Sequence, residues 1–230
     1  MAQIHAVRRN TASANTADGS APEALDASRY GEIFMGPDWR QRAIMAGKGF
    51  QVTVGAFSTP VTGGGAGTIL DQDQPELVLS VPSGYILVPL RFTVQCHTPL
   101  LATDADEAEI LIAADRAAAS NASGSTGTVE TIFNLRTDLT TGSMVTAVSA
   151  NTGNITNPTL GIELARRVVT GDMNGTPANA LWGLLDLEYE PNNPPFIVGP
   201  AAVYFYWGGT VATTGFAQAT WVELPVGYAN

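Results

Sequence analysis

Cysteine occurs once in this chain of 230 residues, at Cys96. A single thiol excludes an intramolecular disulfide framework and any multi-cysteine zinc site. Charge is scarce too: 14% of the residues are charged, against a usual quarter or so. A monomer with so few charges has a poorly solvated surface, so part of that surface is expected to lie against other chains. Basic groups are the scarcer sign, with 11 Lys and Arg against 21 Asp and Glu and a net charge of −10. Phosphate binding needs a basic face, which argues against a nucleic-acid reader. The longest apolar runs, such as Ala201–Trp207, are far too short to span a membrane. Met1–Asn10 has no apolar segment, so no classical secretory signal is expected. What is present is 45% apolar residues in 24.0 kDa. That is enough for one domain with a sizeable core.

Residues 1–28 are small and polar and have no apolar period, which reads as a flexible or extended arm. Residues 29–49 differ: Tyr30, Ile33, Phe34, Met35, Trp39, Ile44 and Met45 are interleaved with arginines. Aromatics mixed with arginine are enriched at interface anchors. Arg29, Tyr30, Phe34, Trp39, Arg40 and Arg42 are therefore the candidate partner-docking residues. Charge separates the same two regions. Residues 1–48 hold six basic and five acidic groups, and residues 49–230 hold five basic and sixteen acidic. The expected organisation is an arm over 1–48 and a body over 49–230.

From Phe50 the chain reads as strands and turns. Gln51–Phe57 alternates, with Val52, Val54 and Ala56 on one side. Glu76–Val81 and Tyr85–Cys96, joined by Pro82-Ser83-Gly84, give the strongest hairpin signal. Pro89 within the second run suggests a bulge or an edge position. Asp104–Arg116 has helical composition, but Glu109–Ile112 reads better as a buried strand. Leu160–Val169 fits either state. Thr128–Arg136 alternates, setting Val129, Ile132 or Phe133, and Leu135 against Glu130, Asn134 and Arg136. Ser143–Ser149 is a further short strand. Leu185, Leu187 and Tyr189 alternate with Asp186, Glu188 and Glu190. Ala201–Trp207 is apolar on both faces and should sit centrally, and Phe216–Leu224 closes the body. Loops are expected at 63–67, 117–127 and 151–158. Eight to ten short strands with 24 Gly and 14 Pro make an all-β protein. The expected fold is an antiparallel β-sandwich, jelly-roll-like because of the long excursions between strands.

Catalytic signatures are missing. The two histidines are His5, in the arm, and His97, beside Cys96. Neighbours in a strand face opposite ways, so a Cys96–His97 dyad is geometrically awkward. No G-x-S-x-G, H-E-x-x-H or phosphate-cradling G-x-x-x-x-G-K-[ST] is present. Asp71 with Asp73, and Asp104, Asp106, Glu107 and Glu109, are acidic clusters, but neither has the calcium-loop pattern. Trp182, Tyr204, Tyr206, Trp207 and Trp221 could line a sugar site, although strand spacing favours core or subunit interface. No catalytic residue, metal or cofactor is expected.

The stretch PELVLSVPSGYILVPLRFTVQC, an acidic loop, and then EAEILIAADR resemble jelly-roll structural proteins of virus particles. The nearest in style are the head decoration or cement proteins of tailed phages. The resemblance spans roughly residues 50–230 and transfers no functional residue. It implies a β-rich, non-enzymatic capsid protein that assembles as a trimer and docks through an extended terminus. The implied partner is a major capsid protein or another virion protein, and the implied location is the capsid surface. Major coat and tail roles belong to the same reading. A carbohydrate-binding or adhesion sandwich is the alternative, and a β-sandwich enzyme the third.

Overall fold

The computed structural model describes residues 39–63, 70–99, 105–115, 127–150, 155, 160–172, 182–209 and 213–228. The chain opens with a short helix, α1 (Trp39–Met45). Strands β1 (Gly49–Val54), β2 (Val61–Thr62), β3 (Leu77–Val81), β4 (Tyr85–Pro99) and β5 (Ala105–Asp115) follow. Three short strands come next: β6 (Thr128–Val129), β7 (Phe133–Asn134) and β8 (Thr146–Ser149). The chain ends with β9 (Leu160–Asp172), β10 (Trp182–Tyr189), β11 (Ile197–Val198), β12 (Ala201–Gly209) and β13 (Thr214–Pro225). Ala43–Asn230 form one compact unit. The arm before Trp39 and the loop residues 64–67, 117–126, 151–154 and 156–158 lie outside the described residues.

The first sheet runs β10-β4-β13-β1-β7, with β11 and β2 attached to β4 and β13. The second runs β6-β8-β3-β12-β5-β9. Eight of the strands have five residues or more. Numbered first to eighth along the chain, they lie sixth-third-eighth-first in one sheet and second-seventh-fourth-fifth in the other. Consecutive strands thus keep crossing between sheets, which is the jelly-roll arrangement of two Greek keys. The ambiguous segments at 104–116 and 160–169 are both strands, paired with each other as β5 and β9. Residues 108–115 of β5 are buried between β12 and β9, and β9 runs along the sheet edge against β5, so tertiary pairing overrides helical composition.

The expected hairpin between β3 and β4 is corrected. β3 pairs with β8 and β12 in the second sheet, while β4 pairs with β13, β10 and β11 in the first. Pro82-Ser83-Gly84 does make the turn: Gly84 has φ +86° and Tyr85 N–H donates to the Pro82 carbonyl at 3.3 Å. The turn is an arch between sheets. Leu77, Leu79 and Val81 face Leu87, Phe92 and Val94 within one core cluster. A hairpin would have laid those apolar faces side by side on one surface. A second crossing, at the cis Gly199-Pro200 bond between β11 and β12, lies beside the first. There Gly199 N–H donates to the Tyr85 carbonyl at 2.9 Å.

The inner faces make one core, in which Phe92 and Phe205 meet edge to face at 5.1 Å. Every residue of β12 is buried. The strand is apolar on both faces, and the chain covers much of the second face itself. Tyr204, Tyr206, Val78 and Leu111 form a separate outer cluster with Leu70 and Ile155. Tyr206 Oη donates to the Gln72 carbonyl at 3.0 Å. On the first sheet, Ile86, Val88, Leu90 and Val222 are covered by Ala43 and Ile44.

Two substitutions test this architecture. A Cβ on Gly199 would lie 2.0 Å from the Pro82 carbonyl oxygen, whereas one on Gly142 meets nothing within 4 Å. Gly199→Ala should therefore cost about 1–3 kcal/mol or more through backbone displacement. Gly142→Ala should stay within about 0.5 kcal/mol of the parent. Urea unfolding midpoints of both variants check this.

Candidate functional site

The six residues predicted to dock partners divide into two groups. Arg29, Tyr30 and Phe34 lie outside the described residues. Trp39, Arg40 and Arg42 fall on α1, none of whose residues is buried. The Arg40 guanidinium sits 5.8 Å from the centre of the Trp39 ring, a cation–π distance.

The residues screened for chemistry have structural roles. Cys96 is fully buried, and burial, with a smaller contribution from Glu76, pushes its thiol far above the ordinary value. His97 takes the next register position, opposite Thr214 and Leu184. Asp71 Oδ1 accepts from Asp73 N–H at 3.0 Å, closing a local turn. Asp104 lies outside the described residues, and Asp106 and Glu107 fall on β5. Glu109 is ion-paired with Arg166, which also holds Glu163 at 2.8 Å. Among the described residues no group of three or more His, Cys, Asp or Glu is placed to hold a metal ion. Tyr204, Tyr206, Trp207 and Trp221 are buried and do not line an open sugar site; Trp182 falls on β10.

Two surface features stand out. One is a groove of about 320 Å³ on the outer face of the first sheet. Its floor is two cross-strand rows. Glu188, Thr93, Gln218 and Thr53 stand in register across β10, β4, β13 and β1. Asp186, Gln95 and Phe216 form the next row. Arg91 Nε donates to Glu188 Oε1 at 2.6 Å, and Arg167 stands 3.5 Å from Asp186. The groove begins where the cover of Ala43 and Ile44 ends, at a bulge in β4. Thr220 opposes Arg91 but Trp221 opposes Pro89, so Leu90 is the extra residue. Residues 86, 88 and 90 face outward before the bulge, and 91, 93 and 95 after it. Of the bulge or edge position suggested by Pro89, the structure has the bulge, with Leu90 beside it as the extra residue. The outward set of Asp186 and Glu188 was legible, but no local signal marks four adjacent strands as one floor.

The other feature is the edge where residues 127–145 close the sandwich. β6 pairs with β8 in the second sheet, Ile132 enters the core, and β7 pairs with β1 in the first. Asn134 Nδ2 donates to the Gly47 carbonyl at 2.9 Å, and Arg136 Nη1 donates to the Met45 carbonyl at 2.8 Å. Arg136 also holds Asp138 at 2.5 Å, which keeps that carboxyl below its ordinary range. Glu223, buried, accepts from Ser143 Oγ at 2.5 Å, Met144 N–H at 2.8 Å and Trp221 Nε1 at 2.9 Å, tying the segment to the core. The expected alternation of Thr128–Arg136 is corrected here. Of the alternatives Ile132 and Phe133, Ile132 is the buried one; Val129, assigned inward, and Phe133 are 77% and 63% exposed. Only two-residue strands form because the segment must cross from one sheet to the other. With Met45, Leu139 and Met144 they make five of the ten large exposed apolar side chains among the described residues.

No protein-family model matches the chain, and no curated protein matches its sequence.

Burial sets the titration behaviour. Desolvation pushes the phenols of Tyr204 and Tyr206 well up, with Asp115 adding to the first and the neighbouring tyrosine to the second. A raised folded pKa means the folded state keeps a proton that the unfolded chain releases. The stability linked to these groups should be intact below the ordinary tyrosine value, about 10, and fall as pH rises past it. Urea midpoints measured across that boundary check the sign. Cys96 should resist Ellman's reagent at mildly alkaline pH in the folded protein and react fully in concentrated guanidinium.

Proposed function

We propose that this chain is a non-catalytic structural component of a virus particle, a homo-oligomeric jelly-roll protein that docks on the capsid surface and reinforces it. The assembly is a trimer, and the partner is a major capsid protein or another virion protein. The observation that carries this reading is the apolar edge. Val129, Phe133, Leu139 and Met144 lie exposed on the segment that closes the sandwich, and Met45, whose carbonyl accepts from Arg136, is exposed at the end of α1. A chain with a charged fraction of 14% has few charges to keep such an edge solvated, and burying it against a second copy removes it from water. The jelly-roll strand order supports the reading, since that arrangement serves viral capsid and lectin domains. Fold analogy is a prior, while the edge is the physical argument.

Docking on the particle is assigned to the N-terminal arm, with Arg29, Tyr30, Phe34, Trp39, Arg40 and Arg42 as anchors. Arginine pairs bidentately with carboxylates and stacks on rings, which suits an acidic or mixed capsid surface. Several arms per oligomer multiply the avidity.

Phe133→Asp tests the edge. Its side chain is exposed, so the circular dichroism spectrum and Tm should hold, while light scattering should show the oligomer falling to monomer. A parent protein that is already monomeric at micromolar concentration, or a variant that keeps its mass, would overturn the assignment. Deleting residues 1–42, which removes all six anchors, tests the arm. A folded oligomer that no longer binds its particle supports docking, and full binding moves the contact to the body.

A further inference from the structure

We infer that the groove on the outer face of the first sheet is a binding site for a neutral, polyhydroxylated ligand, a short glycan segment. This goes beyond the structural role above and rests on different residues from the apolar edge. The groove centres on β4 and β13, whose ladders are complete on both sides: β4 lies between β10 and β13, and β13 between β4 and β1, while β10 is the end strand of the sheet. The centre of the floor is therefore held by backbone ladders and has no backbone groups left to pair with a ligand. Side chains alone make the recognition. Gln95 and Gln218 each present a donor and an acceptor, Thr53 and Thr93 add hydroxyls, and Asp186 and Glu188 add acceptors. Vicinal hydroxyls of a sugar match that set, since each can donate to a carboxylate or amide oxygen while accepting from an amide N–H. Phe216, half-buried in the row with Gln95 and Asp186, supplies an aromatic face for the apolar C–H side of a sugar ring.

Charge decides against an anion. The cation lining the groove, Arg91, is paired with Glu188 at 2.6 Å. The second carboxylate, Asp186, has Arg167 at 3.5 Å. An incoming phosphate or uronate would compete with two carboxylates for arginines already paired. A neutral ligand keeps both ion pairs and uses their remaining lone pairs and N–H groups. The volume of about 320 Å³ falls at the small end of ligand sites, suited to one or two sugar rings rather than a protein surface.

The probe is an array of neutral and acidic oligosaccharides, followed by calorimetry with the best neutral one. The full-length protein should bind neutral glycans, and inorganic phosphate should not displace them. Gln95→Ala and Gln218→Ala change surface side chains and should each weaken binding up to about tenfold. Phe216→Leu keeps apolar bulk but removes the ring face, and should weaken binding by a similar factor with Tm unchanged. Phe133→Asp should bind as the parent does, which separates this site from the edge. Binding to no neutral glycan, selection of acidic glycans, or affinities unmoved by the groove variants would overturn the inference.

Discussion

The bulge at Leu90 is the constraint on which both faces of the first sheet depend. Strand β4 must present apolar side chains to the core along its whole length, yet its outer face meets two different environments. Before the bulge the outward residues Ile86, Val88 and Leu90 lie beneath Ala43 and Ile44. After it the outward residues are Arg91, Thr93 and Gln95. One extra residue shifts the side-chain period by one and keeps Phe92, Val94 and Cys96 in the core. Without that shift, Arg91 and Thr93 would point into the sandwich. The same irregularity ends the covered half of the face and opens the groove.

The surplus of apolar residues has more than one destination. Each sheet carries a satellite cluster on its outer face, sheltered by the chain's own segments around Leu70, Ile155 and Ala43–Ile44. Much of the low charge content is thus accounted for within one chain. Among the described residues, half of the large apolar side chains left exposed lie on residues 127–145 or at Met45 beside them. Buried carboxylates secure these junctions: Glu223 gathers donors from two segments, and Glu76 accepts from Trp207 N–H at 2.9 Å.

Strand positions were largely legible because strands alternate, and the alternation of Leu185, Leu187 and Tyr189 or the two-sided apolarity of Ala201–Trp207 needs no tertiary knowledge. The sheet to which each strand belongs was not. Pro82-Ser83-Gly84 specifies a reversal of direction, and the same reversal serves a hairpin or an arch. The partners tell them apart: β3 pairs with β8 and β12 in one sheet, and β4 with β10, β11 and β13 in the other. Thr128–Arg136 misled at one position for a related reason: its alternation is real, but the segment changes sheets midway, so Ile132 turns inward while Val129 finishes outside. The groove was invisible because its floor joins residues separated by as many as 165 positions, from Thr53 to Gln218, and each taken alone is an ordinary polar strand residue.

The first and last long strands of the body lie side by side, with Gly49 opposite Val222 and Val54 opposite Ala217. β13 also forms the longest ladder with β4, from Tyr85 to His97. The first sheet is therefore keyed by the last strand of the body. Until residues 214–225 leave the ribosome, β1 lacks its long partner and β4 is open along one side. Most contacts are non-local, and loop closure over such spans is slow. The body thus assembles as a unit only once residues 214–225 are available, and a chain cut short before Thr214 carries two apolar strands with exposed edges.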